Sequence, residues 1–276
     1  MESTNESTNE STNNAASGAL RGQRVVVTGA TGGIGRAIST RLVNEGAQVM
    51  INDLNAASLT ELAADIGARF HAGDAASEVG VAALIAAADR ELGGIDMFVA
   101  NAGIGVVRGL DATEDDWARS FDVNVMAHVR TARVLVPRWI DAGGGRFVVT
   151  ASAAGLLTML GDAPYSVTKH GAVAFAEWLS ATYGAQGIAV HAICPQGVRT
   201  AMYEGSGPLR VILDKHPIIE PSVVADALVQ AIADGHFLVL PHPEVADFYS
   251  FRAARTDRWL QGMQSMQVEL LDGITD

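Results

Sequence analysis

The stretch "QRVVVTGATGGIGRAISTRLVNEGAQVMINDLN", residues 23–55, reads as strand, glycine turn, helix, strand and acid. Arg24 to Val27 form a short β-branched run, and the turn Thr28-Gly29-Ala30-Thr31-Gly32-Gly33-Ile34-Gly35 follows at once. Ile38, Leu42 and Val43 then repeat at helical spacing, and Gln48 to Asn52 give a second strand. Glycines at such a turn let backbone approach a pyrophosphate, and the helix N-terminus aims N–H groups and a positive dipole end at it. The turn follows a strand and opens a helix, which is the context this chemistry requires. Asp53 closes the second strand, twenty-four residues after Gly29. A carboxylate there hydrogen-bonds ribose hydroxyls and repels a 2′-phosphate. Leu54 and Asn55 offer no cation for such a phosphate, and Arg36 is read as a solvated helix residue. The expected cofactor is NAD rather than NADP.

A second stretch carries acid–base chemistry. In "TASAAGLLTMLGDAPYSVTK", residues 150–169, twelve residues separate Ser152 from Tyr165 and three separate Tyr165 from Lys169. A tyrosine and a lysine four apart share one helical face. A phenol with a pKa of about 10 is a poor base near neutrality. A neighbouring ammonium favours the phenolate, so Lys169 is expected to lower the Tyr165 pKa and fit it for proton exchange with a substrate oxygen. Ser152 is placed to hydrogen-bond the same oxygen. Alone, Tyr-x-x-x-Lys occurs on many helices as a surface pair. The nucleotide-type turn upstream gives it weight.

Together these residues resemble the short-chain dehydrogenase/reductase family over roughly residues 22–240. Thr28-Gly29-x-x-x-Gly33-x-Gly35 matches the glycine motif of its single-domain members, while Gly29, Gly32 and Gly35 also fit the pattern of its longer, epimerase-like members. The glycines do not separate the branches; chain length and the serine–tyrosine spacing favour the single-domain, NAD-preferring one. The resemblance implies that Gly29, Thr31, Gly32, Gly33, Ile34, Gly35, Asp53 and Leu54 bind the cofactor, with Asp74 and Ala75 at the adenine and Asn101-Ala102-Gly103 after the fourth strand. Thr150, Tyr165, Lys169, Pro195, Gln196, Gly197, Val198, Thr200 and Met202 complete that implied set. Asn124, in "FDVNVMAH", matches the catalytic asparagine, so the implied catalytic group is Asn124, Ser152, Tyr165 and Lys169. One position departs from the pattern: Pro195-Gln196-Gly197-Val198-Arg199-Thr200 has Gln196 where the family has glycine.

After residue 20, strands and helices alternate, which calls for an α/β fold: a three-layer, Rossmann-type, doubly wound parallel sheet of about seven strands. Further strands are expected at Met97–Ala100, Arg146–Thr150, Ile188–Cys194 and Phe237–Leu240, and long helices at Thr113–Ile140 and Ala163–Gln186, with acids Glu114 to Asp116 in a first turn. Residues 1–19 are expected to be a disordered low-complexity tail, because residues 2–13 repeat Glu-Ser-Thr-Asn without an apolar side chain. Residues 20–276 are expected to be one catalytic domain, with a substrate lid near 200–220 and a helical extension from about 243. The extension, with Phe248, Tyr249, Phe251, Trp259 and Leu260, would pack on the pocket or on a neighbouring subunit.

The formal net charge of −12 argues against non-specific binding to nucleic acid or an anionic membrane. No apolar run is long enough to span a bilayer and the start lacks signal-peptide features, so the expected location is the cytoplasm. A hydrophobic content of 49% against 18% charged residues points to surface buried in a homo-oligomer, a tetramer in preference to a dimer. Cys194, the only cysteine, is read as a buried inert thiol, and the seven histidines show no metal-type spacing, so no metal is expected. His170 follows Lys169 but is turned to another helix face.

The pocket is expected between 153–163 and 201–220. Ser152, Ala154, Leu160, Tyr165, Gln196, Met202 and Tyr203 are the candidate substrate residues, with Leu156, Leu157 and Met159 as further apolar lining. Arg199, Arg210 and Lys215 are read as solvated rather than as anion receivers. The expected activity is hydride transfer between NAD and a hydrophobic secondary alcohol or ketone. The alternatives are an epimerase or dehydratase with bound NAD, and an NAD-binding sensor or scaffold without turnover.

Overall fold

The computed structural model describes residues 20–275; the Glu-Ser-Thr-Asn repeat lies outside the described residues. Seven strands form one parallel sheet in the order β3-β2-β1-β4-β5-β6-β7. They are β1 (Arg24–Thr28), β2 (Gln48–Asp53), β3 (Arg69–Ala72), β4 (Met97–Ala100), β5 (Gly145–Thr150), β6 (Ile188–Ile193) and β7 (Leu238–Val239). The expected Rossmann-type α/β fold is the one observed. Strand order reverses between β1 and β4, and the carboxyl ends beside such a reversal form a ligand crevice. Pairing of Ala100 with Val149 and of Thr150 with Ile193 brings the ends of β4, β5 and β6 level. Asn101, Ser152 and Pro195 therefore leave the sheet along one edge.

Alternate side chains of each strand enter opposite faces. Val25, Val27, Val49, Ile51, Met97, Val99 and Ile193 pack with Ile38 and Leu42 of α1 (Gly33–Asn44), Leu59 and Leu62 of α2 (Ala56–Ile66), and Val224 and Leu228 of α9 (Pro221–Asp234). Val26, Met50, Phe98, Phe147 and Val149 face α3 (Glu78–Leu92), α5 (Ala127–Asp141) and α6 (Ala163–Tyr183), meeting Leu84, Leu135, Trp139 and Val173.

Several boundaries differ from the sequence reading, among them the end of α6, which stops at Tyr183 and passes into a 3-10 turn at Gly184–Gln186. The helix expected over Thr113–Ile140 is α4 (Glu114–Phe121) joined to α5 through a π-helical turn at Asp122–Met126. Strand β6 stops at Ile193 and β7 is two residues long, although Cys194 still donates to Val239 and Ala192 to Phe237 across that edge. Short helices α7 (Ala201–Glu204) and α8 (Arg210–Leu213) occupy the expected lid region. The chain then ends in α10 (Glu244–Ala254) and α11 (Thr256–Thr275). Among the described residues, no helix is long and apolar enough to cross a membrane.

Candidate active site

The glycine turn sorts into positions fixed by packing and positions left open. Gly29 has φ +61°, and a Cβ there would lie 2.8 Å from the Cα of Ala102. A Cβ on Gly35 would lie 2.2 Å from the Gly29 carbonyl oxygen, and one on Gly33 would lie 2.7 Å from Cγ2 of Thr200. At Gly32 the closest approach is 3.4 Å. Packing thus demands Gly29, Gly33 and Gly35, the spacing of the single-domain pattern. No side chain caps α1 at Gly32, so the N–H groups of its first turn face the crevice without a side-chain acceptor.

The Asp53 carboxylate is fixed at the end of β2. One oxygen accepts the backbone N–H and hydroxyl of Thr31 at 3.0 and 2.6 Å, and the other accepts the N–H of Leu54 at 2.7 Å. Arg36 and Leu54 are exposed, and Ile34 packs on the core. Asp74 accepts the N–H groups of Ala76 and Ser77, and a hydrogen bond with the Ser77 side chain, aided by these two, holds its carboxyl below the usual range; Ala75 is partly buried. Asn101 donates through Nδ2 to the carbonyls of Thr28 and Gly29 at 3.0 and 3.1 Å, while Ala102 donates to the Thr28 hydroxyl. This crevice, with a bare helix N-terminus at one end and an oriented carboxylate at the other, fits a dinucleotide.

The structure brings Asn124, Ser152, Tyr165 and Lys169 together. Asn124 is fully buried in the π-helical turn. Its Oδ1 accepts the N–H of Ile104 at 2.9 Å, and its Nδ2 donates to the Ile104 carbonyl at 2.9 Å and the Thr168 hydroxyl at 3.0 Å. Gly103 is held so close that a Cβ would approach Nζ of Lys169 at 3.1 Å and Oδ1 of Asn124 at 3.3 Å. The Ser152 hydroxyl accepts the N–H of Ala154 at 3.1 Å and donates weakly to the Pro195 carbonyl at 3.4 Å. Lys169 donates from Nζ to the Thr150 carbonyl at 2.8 Å, and Nζ lies 5.5 Å from the Tyr165 ring centroid. The Thr150 hydroxyl oxygen is buried with no protein partner.

Electrostatics corrects one expectation. Burial pushes the Tyr165 phenol above its ordinary range; a hydrogen bond with Ser152 pulls the other way, and the Asp162 carboxylate adds to the rise. The lowering expected from Lys169 does not prevail over burial; its own ammonium is desolvated, pushed down to about 8 by burial, and turned to the Thr150 carbonyl. Burial lifts the Cys194 thiol to about 12, so it is an un-ionised core side chain. His128, buried beside Lys169 with neither ring nitrogen bonded to protein, is pushed down to about 3, first by desolvation.

The loop after β6 is held by a residue beyond β7 that the sequence reading missed. His242, 2% exposed, accepts the Gln196 backbone N–H through Nδ1 at 3.2 Å. An amide can only donate, so Nε2 carries the ring proton and donates to the Pro217 carbonyl at 3.1 Å. His242 lies in no spacing pattern, and nothing in its sequence context marks it. The side-chain oxygen of Gln196 is buried without a partner. A Cβ on Gly197 would lie 2.3 Å from Ile218, Val198 is in the core, and Thr200 caps α7 through the N–H of Tyr203.

The substrate-side residues divide. Met159 and Leu160 line a cavity of about 480 Å³ with Thr158, Ser166 and His170, but neither Ser152 nor Tyr165 borders it. Leu156 belongs to the core and Leu157 packs against it, so these two are corrected from pocket lining to packing, while Ala154, two residues from Ser152, is buried. Met202 is exposed. The Tyr203 side chain is covered, and its hydroxyl donates to Asp214 at 2.6 Å while accepting from Arg210 at 3.1 Å, which braces the 201–214 segment. Arg199 pairs with Glu220 and Lys215 with Glu269. Helix α11 packs on this segment and on the 158–161 loop. Leu270 is buried there, and a second cavity of about 250 Å³ lies between Thr158, Leu160, Trp259, Leu260 and Met263. His170, expected on another face, bonds the Ser166 carbonyl and Arg252.

Comparison with known proteins agrees with this geometry. A family model described as short chain dehydrogenase matches residues 23–208. The chain is 33% identical over 253 residues to an uncharacterised NAD-dependent oxidoreductase of Mycobacterium tuberculosis, covering 79% of this chain and 92% of that protein. It is 34% identical over 235 residues to 1-deoxy-11-beta-hydroxypentalenate dehydrogenase of Streptomyces avermitilis, covering 82% and 86%. Among solved structures, a short chain dehydrogenase/reductase from Burkholderia phymatum in complex with NAD superimposes with a TM-score of 0.78 at 25% identity, covering 86% of this chain and 95% of that one.

Proposed function

The chain belongs to the short-chain dehydrogenase/reductase family and is an oxidoreductase of that family, and on this premise we propose that it transfers hydride between NAD and a hydrophobic secondary alcohol or ketone, with Tyr165 as the general acid and base. The observation that carries the reading is the convergence of Ser152, Tyr165, Lys169 and Asn124 at the level ends of β4, β5 and β6. NAD, when bound, supplies the hydride acceptor. The preference for NAD over NADP rests on Asp53, whose oriented carboxylate suits a ribose diol and repels a phosphate. The bare first turn of α1 would take the pyrophosphate, and Asn101 to Gly103 would flank the nicotinamide half.

In alcohol oxidation the Tyr165 phenolic oxygen takes the substrate proton, and in ketone reduction it returns one. The Ser152 hydroxyl donates to the substrate oxygen as charge develops there. The Lys169 ammonium lies close enough to favour the phenolate once formed, and the cage of Ile104, Thr168 and Asn124 fixes the backbone around it. The apolar character of Met159 and Leu160 supports a hydrophobic substrate. Apolar side chains exposed on the α4–α6 surfaces, among them Phe121, Val134 and Trp178, support a homo-oligomer.

The test is reduced-nicotinamide absorbance with purified protein, NAD or NADP, and a panel of hydrophobic secondary alcohols. Turnover with NAD that Tyr165→Phe abolishes is the expected result. Turnover with NADP alone would overturn the reading of Asp53. NAD binding without turnover across a broad panel would favour a sensor or a bound-cofactor enzyme.

A further inference from the structure

Tyr165 starts its helix beside a buried acid that the reaction chemistry does not use. Asp162 is 3% exposed and precedes α6. Its Oδ1 accepts the backbone N–H of Tyr165 at 3.0 Å. Its Oδ2 accepts the N–H groups of Val106 and Val107 at 2.9 and 2.7 Å. The same junction is closed by the N–H of Ala163 donating to the Arg108 carbonyl at 2.9 Å.

Val107 has φ +53°, the only positive φ of a non-glycine residue among the described residues. A β-branched side chain is strained in that left-handed conformation, and strain of this kind persists only where its surroundings over-determine it. Here the over-determining group is one carboxylate oxygen holding two successive N–H groups. The turn it holds is not remote. Ile104 exchanges both backbone bonds with Asn124, and a Cβ on Gly105 would sit 3.5 Å from Cδ2 of Tyr165 and 3.1 Å from Oδ2 of Asp162. The 103–107 loop therefore lines Lys169, Asn124 and Tyr165 in turn.

We propose that Asp162 is a positioning residue that clamps the strained Val106–Val107 turn to the first turn of the Tyr165 helix, so that one buried carboxylate sets both the wall of the site and the placement of its tyrosine. The inference rests on the role proposed above for Tyr165. The Asp162 carboxylate also opposes phenolate formation at Tyr165, in the same sense as burial. The other titratable groups facing Tyr165 are Lys169 on its own helix and the un-ionised Cys194 at the end of β6.

The test needs no substrate. Tyrosinate absorbance of the wild type minus that of Tyr165→Phe, at a pH of about 10, isolates Tyr165 from the other three tyrosines. The same subtraction is made in Asp162→Asn and Asp162→Ser; serine retains a helix-capping oxygen without the charge. The expected result is a larger tyrosinate fraction at Tyr165 in both variants, with amide exchange of residues 103–108 at least about tenfold faster. A residue that only stabilised the fold would lower Tm and leave the Tyr165 fraction of the folded protein unchanged, and that outcome overturns the proposal. Should neither variant fold, exchange in the wild type decides. Protection of the Val106 and Val107 amides to the level of the first turn of α6 upholds the clamp, and exchange as fast as at exposed Leu110 and Asp111 overturns it. Turnover retained by Tyr165→Phe would overturn the proposed function instead, a separate result.

Discussion

Lys169 donates to the Thr150 carbonyl at 2.8 Å, and its ammonium, 3% exposed, is held beside the Tyr165 ring rather than in water. The lysine lowered to about 8 by burial is charged below that pH in the fold, while an unfolded lysine stays charged to about 10.4. Between those values the unfolded chain binds more protons, so stability rises with pH there. Below about 8 both states are charged and the full penalty stands, of order 3 kcal/mol. Lys169→Met removes the penalty. The stability of that variant relative to wild type is expected to fall as pH is raised from about 8 to about 10, read by denaturant unfolding at each pH. A difference independent of pH would show that Lys169 is not desolvated.

Ser152→Ala removes the one hydroxyl placed to meet developing charge on the substrate oxygen. Loss of such a donor lowers kcat by about 10²–10³. The expected signature is a fall in kcat with NAD affinity unchanged, since the protein-side partners of Ser152 are Ala154, Pro195 and the Tyr165 phenol. An equal loss of NAD affinity, measured by titration, would contradict this.

The glycines give a graded series. Gly35→Ala forces a Cβ to 2.2 Å from a backbone oxygen and should unfold the turn, whereas Gly32→Ala meets nothing closer than 3.4 Å. Thermal melts of the cofactor-free variants should separate them. Gly32→Ala should stay within about 0.5 kcal/mol of wild type, as surface substitutions do.

Asp53→Ser withdraws the carboxylate from the ribose end of the crevice and leaves the Thr31 and Leu54 donors without it. NAD should bind more weakly and the NAD-to-NADP ratio of kcat/KM should fall. An unchanged ratio would place the selectivity elsewhere.

His242→Leu strips the Gln196 N–H and the Pro217 carbonyl of their shared partner. Each buried group left unsatisfied costs about 1–3 kcal/mol. Stability should fall accordingly, and amide exchange of residues 196–220 should rise while that of β1–β3 does not.

What the sequence made legible were features with local causes. The β-branched Arg24–Val27 run, the glycine turn and the alternation of strands and helices follow from backbone sterics and from hydrophobic period, and they led directly to the sheet observed. Ser152, Tyr165 and Lys169 were found from their spacing, and Asn124 from the family resemblance. Features with tertiary causes were not legible. The π-helical turn at Asn124 answers to contacts with Ile104 and Thr168, which are remote in sequence. His242 and Asp162 act on backbone groups far along the chain, so no motif announces them. Leu156 and Met159 are both apolar and three residues apart, yet one fills the core and the other a cavity wall. Only the path of the 153–162 loop distinguishes them.

The five-residue turn at Asp122–Met126 is wider than the helices on either side of it. An α-helical turn holds about 3.6 residues, and this widened turn takes up one residue more. Deleting one residue from it would let it close to an ordinary α-helical turn, and Thr131, Leu135 and Trp139 would keep the face they bury. What would be lost is the bulge that carries Asn124 to Ile104 and Thr168. The extra residue thus belongs to the site, not to the helix.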